Sequence, residues 1–423
     1  LLYFPFNMKE GWKVGIATVL ITPTEPMWLA GFARRTRPAE GTASELYAKA
    51  IALEDVAGHR LVILTADLIA MPREIADWIS AQCARRLGLR REQLLLSTSH
   101  THSGPEVRPS KVLFFNIPDE FAKKIPAFVE QLQEKMVAAI AAALDALAPA
   151  RLFAGQGTAG FANNRRGAEK YFDHDVPVLH VTDLNGKPRA LLFGYACHNT
   201  TLWEDSYVFC GDYAGFAQQY LQEKFPDVTA MFLCGAAADQ NPDPRAKLSY
   251  AQQHGRELAE GVAKAMSQKM EIEPILAVQF EKVPIDFRPI PSQEQLIEQT
   301  KSEDKPVARK AQFLLDHRNE FDSSYPFPLQ VIQLGKQLLL IAICGEPVVE
   351  YAMKLKVEYA GQKLVWVAGY TNDMFGYVPT LRVQREGGYE GGRAALWSAL
   401  PMPWTEDVEP RVMGAIRRMV EKI

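Results

Sequence analysis

Short apolar runs recur along this chain, and each breaks abruptly into a polar turn. Leu94-Leu95-Leu96 runs into Ser97-Thr98-Ser99-His100-Thr101-His102-Ser103-Gly104-Pro105. Leu191-Leu192-Phe193-Gly194-Tyr195-Ala196-Cys197 is followed by His198-Asn199-Thr200-Thr201. Leu338-Leu339-Leu340-Ile341-Ala342-Ile343-Cys344 closes on Gly345-Glu346-Pro347, and Val365-Trp366-Val367-Ala368 gives way to Gly369-Tyr370-Thr371-Asn372-Asp373. Unbroken apolar runs bounded by turn residues read as strands buried on both faces. Stretches of helical period lie between them, at 73–87, the Ala-rich 121–147, 212–225 and 250–268. Further strands are expected at 61–67, 93–97, 176–181, 190–197, 229–233 and 273–287, with Asn185-Gly186 marking a hairpin between 176–181 and 190–197. Residues 292–319 are strongly charged and read as an exposed helical insertion, most simply a solvated face. The alternation predicts an α/β fold of mixed sheets flanked by helices. No internal repeat is visible.

The turns carry the candidate chemistry. His100 and His102 lie one residue apart, and on an extended backbone such residues point to one face. Neutral imidazole is the commonest metal ligand, and the neighbouring Ser and Thr hydroxyls can hold the second ring nitrogens. A solvated polar loop is the alternative, and both readings stand on this segment alone. His198 sits in a similar context. Glu346 ends an apolar strand, where a carboxylate is costly unless paired or bound to a metal. Singly, His198 and Glu346 read as structural. Four strands that each end in a polar turn suggest instead a site assembled at the strand C-terminal ends.

Composition narrows the class. The 423 residues suffice for a large core, and 48% apolar with 23% charged content is ordinary for a globular protein. A net charge of −3, with no basic run interleaved with aromatics, gives no electrostatic case for nucleic acid or an anionic membrane as partner. No apolar stretch reaches the ~20 residues of a transmembrane segment. The five cysteines are scattered without a CxxC pair, which predicts buried free thiols rather than a disulfide framework or a cysteine metal site. Residues 1–7 precede Met8 without a complete signal-peptide pattern, so the compartment stays open.

A set of ordered motifs adds a resemblance. They are Gly15-Ile16-Ala17, Thr22-Pro23 and Leu29-Ala30-Gly31-Phe32, then Thr98 to Pro105 as given above, then Asn164-Arg165 and Cys197-His198-Asn199-Thr200. Gly211-Asp212-Tyr213-Ala214-Gly215, Gly345-Glu346-Pro347, Gly376-Tyr377-Val378-Pro379-Thr380 and Tyr389-Glu390-Gly391-Gly392 follow. In this order, from about 14 to about 392, the chain resembles the catalytic domain of the neutral/alkaline non-lysosomal ceramidases, zinc-dependent amidases that cleave the N-acyl bond of ceramide. The resemblance implies Zn2+ held by His100, His198, Glu346 and Tyr377, with a small-molecule or lipid N-acyl substrate. It implies that His102 moves protons beside the metal, and that Arg165 and Tyr389 face the oxygen of the scissile group.

The chain departs from the family in two places. The stretch Ala238-Asp239-Gln240-Asn241-Pro242 carries Asn241 where the family has a serine given a direct catalytic role. An amide cannot be a nucleophile, so the expected chemistry runs through zinc-activated water, with Asp239 and Asn241 shaping the pocket. The chain also ends at Ile423, after an amphipathic stretch at 408–423, and so is expected to lack the family's C-terminal immunoglobulin-like domain. One catalytic unit over 1–423 is expected, with lobes at 1–270 and 271–423, because the implied ligands fall on both sides of that boundary. Two alternatives remain. One is a zinc hydrolase of a glycosidic or ester bond in a small polar substrate. Trp203-Glu204-Asp205 and Asp373 lean that way, with Asp212, Glu204 and Asp373 touching substrate and Asp212, Asp239 or Glu204 supplying a carboxylate pair. The other is a non-catalytic ligand-binding relative.

Overall fold

Alternate residues of each buried strand go to different apolar layers. In β1 (Trp12–Leu20), β2 (Tyr47–Glu54), β3 (Arg60–Ala66) and β4 (Leu94–Thr98), one set enters a core shared with helices and the other a core shared with a second sheet. In β2, Ala48, Ala50 and Ala52 face the helices while Ile51 and Leu53 face the sheet. This two-sided burial is why the strands read as continuous apolar runs. The computed structural model describes residues 11–423 apart from 168, 169, 269 and 362. The N-terminal signal-peptide question therefore falls outside the described residues.

The larger sheet continues with β5 (Ala148–Thr158), β6 (Asp175–Thr182), β7 (Pro188–Tyr195) and β8 (Thr229–Cys234). Among the described residues it has nine strands, in the order β8-β7-β6-β5-β1-β2-β3-β4, with the short strand Met270–Glu271 beside β5. A four-stranded sheet of β9 (Leu276–Asp286), β10 (Ser324–Leu334), β11 (Leu338–Ile343) and β12 (Leu364–Ala368) packs against it. The outer face of the larger sheet is covered by α1 (Arg73–Leu87), α2 (Lys124–Asp145), α3 (Asp212–Lys224) and α4 (Leu248–Ala265). On the smaller sheet lie α7 (Val349–Glu358) and α8 (Val408–Val420), which bury Leu355, Val412 and Ile416. The mixed α/β expectation holds, and the layering is helix, sheet, sheet, helix.

The Asn185-Gly186 hairpin forms as expected between β6 and β7, which run antiparallel. The charged segment is helical as expected, but it is more than a solvated face. It folds as α5 (Gln293–Gln299) and α6 (Lys305–Asp316), and these bury Leu296, Ala311 and Leu314 in a small core of their own. Lys310 is buried too, and its ammonium donates to the carbonyls of Ser398 (2.6 Å) and Leu400 (2.5 Å). The charge density hid an amphipathic pair. Among the described residues, no helix is long and apolar enough to cross a membrane.

The topology brings strand ends together. β3 and β4, β7 and β8, and β11 and β12 are parallel pairs. The segment after β12 then links the two edges of the larger sheet. The Gly369 N–H donates to the Cys234 carbonyl (3.0 Å), the Thr98 N–H to that of Tyr370 (3.2 Å), and the Asn372 N–H to that of Leu96 (2.7 Å). A parallel bridge between Thr101 and Asn199 joins the two histidine turns.

Candidate metal centre

His100 follows β4 in the left-handed region, at φ +62°. A non-glycine residue there is uncommon and needs its surroundings to hold it. Here the turn after β3 does so. The His100 N–H donates to the Leu68 carbonyl (2.9 Å) and its ring Nδ1 to that of Ile69 (2.8 Å). The Tyr370 ring lies against the imidazole at 4.4 Å between centroids. His198, after β7, is held the same way by the turn after β8. Its N–H donates to the Gln240 carbonyl (2.9 Å) and its Nδ1 to that of Ala237 (2.7 Å). A carbonyl only accepts, so each Nδ1 carries the proton and each Nε2 presents a lone pair.

These lone pairs converge on Glu346. Its Oε2 lies 3.3 Å from His100 Nε2 and 3.4 Å from His198 Nε2. His102 Nε2 is 3.2 Å from His100 Nε2. The ligand atoms of the three histidines lie within 4.8 Å of one another. His198 Nε2 and Glu346 Oε2 are buried and make no hydrogen bond among the described residues. Buried acceptors facing one another without a donor are costly, and a cation between them removes that cost. The donor set of imidazole nitrogens and a carboxylate could therefore hold a metal ion. Burial, followed by the neighbouring His100 and His198, keeps His102 neutral. Burial and Arg165 lower His198 to about 4.

Gly31 makes room for His102. It sits at φ +97°, and a Cβ there would lie 2.4 Å from His102 Nδ1. The Leu29-Ala30-Gly31-Phe32 motif is thus part of the site, although its sequence shows only a turn glycine.

Tyr377 stands opposite Glu346 in the short parallel pair Glu346–Pro347 and Tyr377–Val378. Its phenol oxygen accepts from Arg165 Nη2 at 3.0 Å. Burial raises the phenol pKa well above its usual value, more than Arg165 lowers it. Arg165 itself is clamped. Its Nε donates to Glu390 Oε1 (2.6 Å), and its Nη1 lies 3.5 Å from Asn241 Oδ1. Burial opposes its charge, but Tyr377 and Glu390 outweigh that and raise its pKa. Glu390 also accepts from Arg166 Nη1 (2.7 Å). The sequence reading placed Glu390 in a motif but gave it no role, because its partners lie more than two hundred residues away. Tyr389 packs its ring 5.3 Å from that of Tyr377 and is 43% exposed.

The remaining expected residues divide. Glu204 and Asp373 line the same cavity as His100, His102, Glu346 and Tyr377. Glu204 pairs with Arg34 (3.2 Å), and Asp373 accepts from Tyr325 Oη (2.7 Å) and Arg73 Nη2 (3.1 Å). Asp239 is fully buried. Its oxygens accept from the Val349 N–H at the start of α7 (2.8 Å) and from Asn164 Nδ2 (3.0 Å), so it fixes the turn that carries Arg165. Asp212 is buried at the start of α3, where its oxygens accept the Leu202 and Tyr213 N–H groups at 2.9 and 2.7 Å. Neither Asp212 nor Asp239 lines the cavity. The cavity measures about 470 Å³, within the span typical of ligand sites. The rest of the lining mixes apolar side chains, Phe115, Met374, Phe375, Trp397, Leu400 and Met402, with the charged Arg34, Arg73, Glu74, Arg108 and Lys111.

Residues 12–241 match the sequence model described as the neutral/alkaline non-lysosomal ceramidase, N-terminal. Neutral ceramidase A of Dictyostelium discoideum is 25% identical over 233 residues, covering 51% of this chain and 32% of the relative. Neutral ceramidase of Drosophila melanogaster is 22% identical over 231 residues, again 51% of this chain and 32% of the relative. The chain thus spans about a third of the length of these curated relatives. The crystal structure of the Pseudomonas aeruginosa neutral ceramidase shares the fold, with a TM-score of 0.73 and 21% identity over 97% of this chain and 75% of that one. A ceramidase complexed with C2 aligns at the same TM-score of 0.73 with 19% identity, over 97% of this chain and 76% of that one.

Proposed function

The chain belongs to the neutral/alkaline non-lysosomal ceramidase family, and from that premise we propose that it is a zinc-dependent hydrolase of N-acyl amides, with ceramide-like amphiphiles as the substrate class. The observation that carries this reading is the convergence of His100 Nε2, His198 Nε2 and Glu346 Oε2, the last two buried without a hydrogen bond among the described residues. Those three, with Tyr377, would hold the zinc. Zinc, when bound, supplies a Lewis acid and brings the pKa of water down to about 7.

The protein's own groups do the rest. His102 is neutral, and its Nε2 is turned toward the centre, 3.2 Å from His100 Nε2, so that nitrogen can take a proton from attacking water and return it to the departing amine. Arg165 and Tyr389 supply donors for the oxygen of the acyl carbonyl as negative charge develops there. Glu390 and Asp239 keep Arg165 in place. Asn241 faces Arg165 with an amide, which supports direct attack by water rather than an acyl-enzyme. The apolar part of the lining, from Phe115 to Met402, fits an acyl chain. The glycosidic alternative has less support, because Asp212 and Asp239 spend their oxygens on bonds away from the cavity.

The test is fatty-acid release from a short-chain N-acyl-sphingosine by the zinc-loaded protein, the chelated protein and His198→Ala. Activity that needs zinc and is lost in the variant supports the proposal. A zinc-loaded protein that hydrolyses no N-acyl substrate overturns the amidase reading, and equal activity after chelation overturns the zinc reading.

A further inference from the structure

A second depression abuts the metal centre. It is lined by Arg165, Arg166, Arg245, Trp203 and Asn241, and it shares Tyr389 and Glu390 with the main cavity. Its lining therefore holds three guanidinium groups against one carboxylate. Arg165 and Arg166 are both committed to Glu390, and Arg166 also to Glu386. Arg245 has no ion pair or hydrogen bond among the described residues. It is half-buried and sits over the Trp203 ring, 4.2 Å from the ring centroid. The contact with the indole holds the guanidinium in place, and its N–H groups are free for an oxyanion. Burial and the nearby Arg165 lower its pKa, while Asp243 opposes this. Asp243 itself accepts from Asn163 Nδ2 at 3.2 Å and does not reach ion-pair distance of Arg245. Asn241 turns its carbonyl oxygen toward Arg165, which leaves its NH2 group unbonded among the described residues.

We propose that this depression is an anion subsite, and that the substrate is an N-acyl compound bearing an anionic oxyacid group, carboxylate or phosphate, on the amine side of the scissile bond. The inference rests on the amidase reading. The apolar part of the main cavity, around Phe115, Trp397, Leu400 and Met402, takes the acyl chain on one side of Tyr389 and Glu390, so the amine half lies toward Arg245, Asn241 and Trp203. An anion there offsets the surplus positive charge and supplies the partner that Arg245 lacks. A neutral amino alcohol does neither.

The experiment uses three probes with one acyl chain: N-lauroylglycine, N-lauroyl-phosphoethanolamine and N-lauroylethanolamine. Wild-type protein is expected to favour at least one anionic probe over the neutral one by about tenfold or more in kcat/KM, the scale of one charge-assisted hydrogen bond. Arg245→Gln and Asn241→Asp should each shrink that ratio through KM of the anionic probe. Which anionic probe wins distinguishes carboxylate from phosphate. A neutral probe hydrolysed as well as both anionic ones, or a ratio unmoved in both variants, overturns the subsite. If no probe is hydrolysed, the amidase reading fails by itself and calorimetric binding of the same probes decides. Tighter binding of an anionic probe that Arg245→Gln abolishes sustains the subsite, and equal binding of all three overturns it.

Discussion

Replacing Glu346 by Gln should raise the stability of the metal-free protein and shrink the stabilisation that zinc adds. In the metal-free protein, Glu346 Oε2 faces two imidazole lone pairs at 3.3 and 3.4 Å. An amide NH2 in that place donates to both. Each new bond contributes about 1 kcal/mol, and an uncompensated buried charge disappears as well. Unfolding entropy of about 2.1 cal/mol/K per residue over 423 residues gives about 0.9 kcal/mol/K, so 1 kcal/mol shifts Tm by about 1 °C. Metal-free Glu346→Gln should thus melt about 2 °C or more above wild type. Zinc then adds less to the variant than to wild type. Zinc at a thousand times its Kd stabilises wild type by about 4 kcal/mol, or roughly 4–5 °C. A hundredfold loss of affinity removes about 2.7 kcal/mol of this, leaving a zinc shift of about 2 °C or less. Scanning calorimetry with chelator and with excess zinc reads both numbers. A variant that is less stable without metal and keeps its full zinc shift would refute the argument, because Glu346 would then be an ordinary ion-pair partner of a charged histidine.

Gly31→Ala should push the His102 ring aside and lower kcat by about a hundredfold while zinc content by elemental analysis stays unchanged. Burial, opposed by Tyr325 and Arg73, pushes Asp373 up to about 6. The folded state therefore holds this proton more tightly than the unfolded chain, and the stability it contributes is present below about pH 4 and lost as pH rises through about 6. Two units correspond to about 3 kcal/mol, so the stability of wild type relative to Asp373→Asn should fall by roughly that amount across this window in urea titrations. A Cβ on Gly194 would lie 2.6 Å from Trp366 Nε1 on the facing sheet. Gly194→Ala should therefore cost about 1–3 kcal/mol by denaturant unfolding, with the zinc-induced stabilisation retained.

Much of this was legible in the chain because the strands are buried on both faces. Their apolar runs end where the sheet ends, so the polar residue that follows each run marks the site, as at His100, His198 and Glu346. β10 was not legible. Pro326 and Pro328 argue against a strand, yet both lie beyond the Leu329–Leu334 stretch that pairs with β11, where a missing N–H is tolerated. Long-range partners were hidden for a different reason. Nothing near Glu390 says that it clamps two arginines, and nothing near Lys310 says that it holds the carbonyls of residues 398 and 400. Asp212 and Asp239 carried a chemical signal in the sequence, but the fold uses their oxygens to cap backbone and hold turns.

X-ray absorption at the zinc edge of metal-loaded protein probes the proposed centre most directly. One zinc per chain is expected, in a shell of nitrogen and oxygen ligands at about 2.0–2.2 Å that includes imidazole scattering, lost in His198→Ala. A shell containing sulfur at about 2.3 Å, or an unchanged zinc site in His198→Ala, would place the metal elsewhere and contradict the assignment.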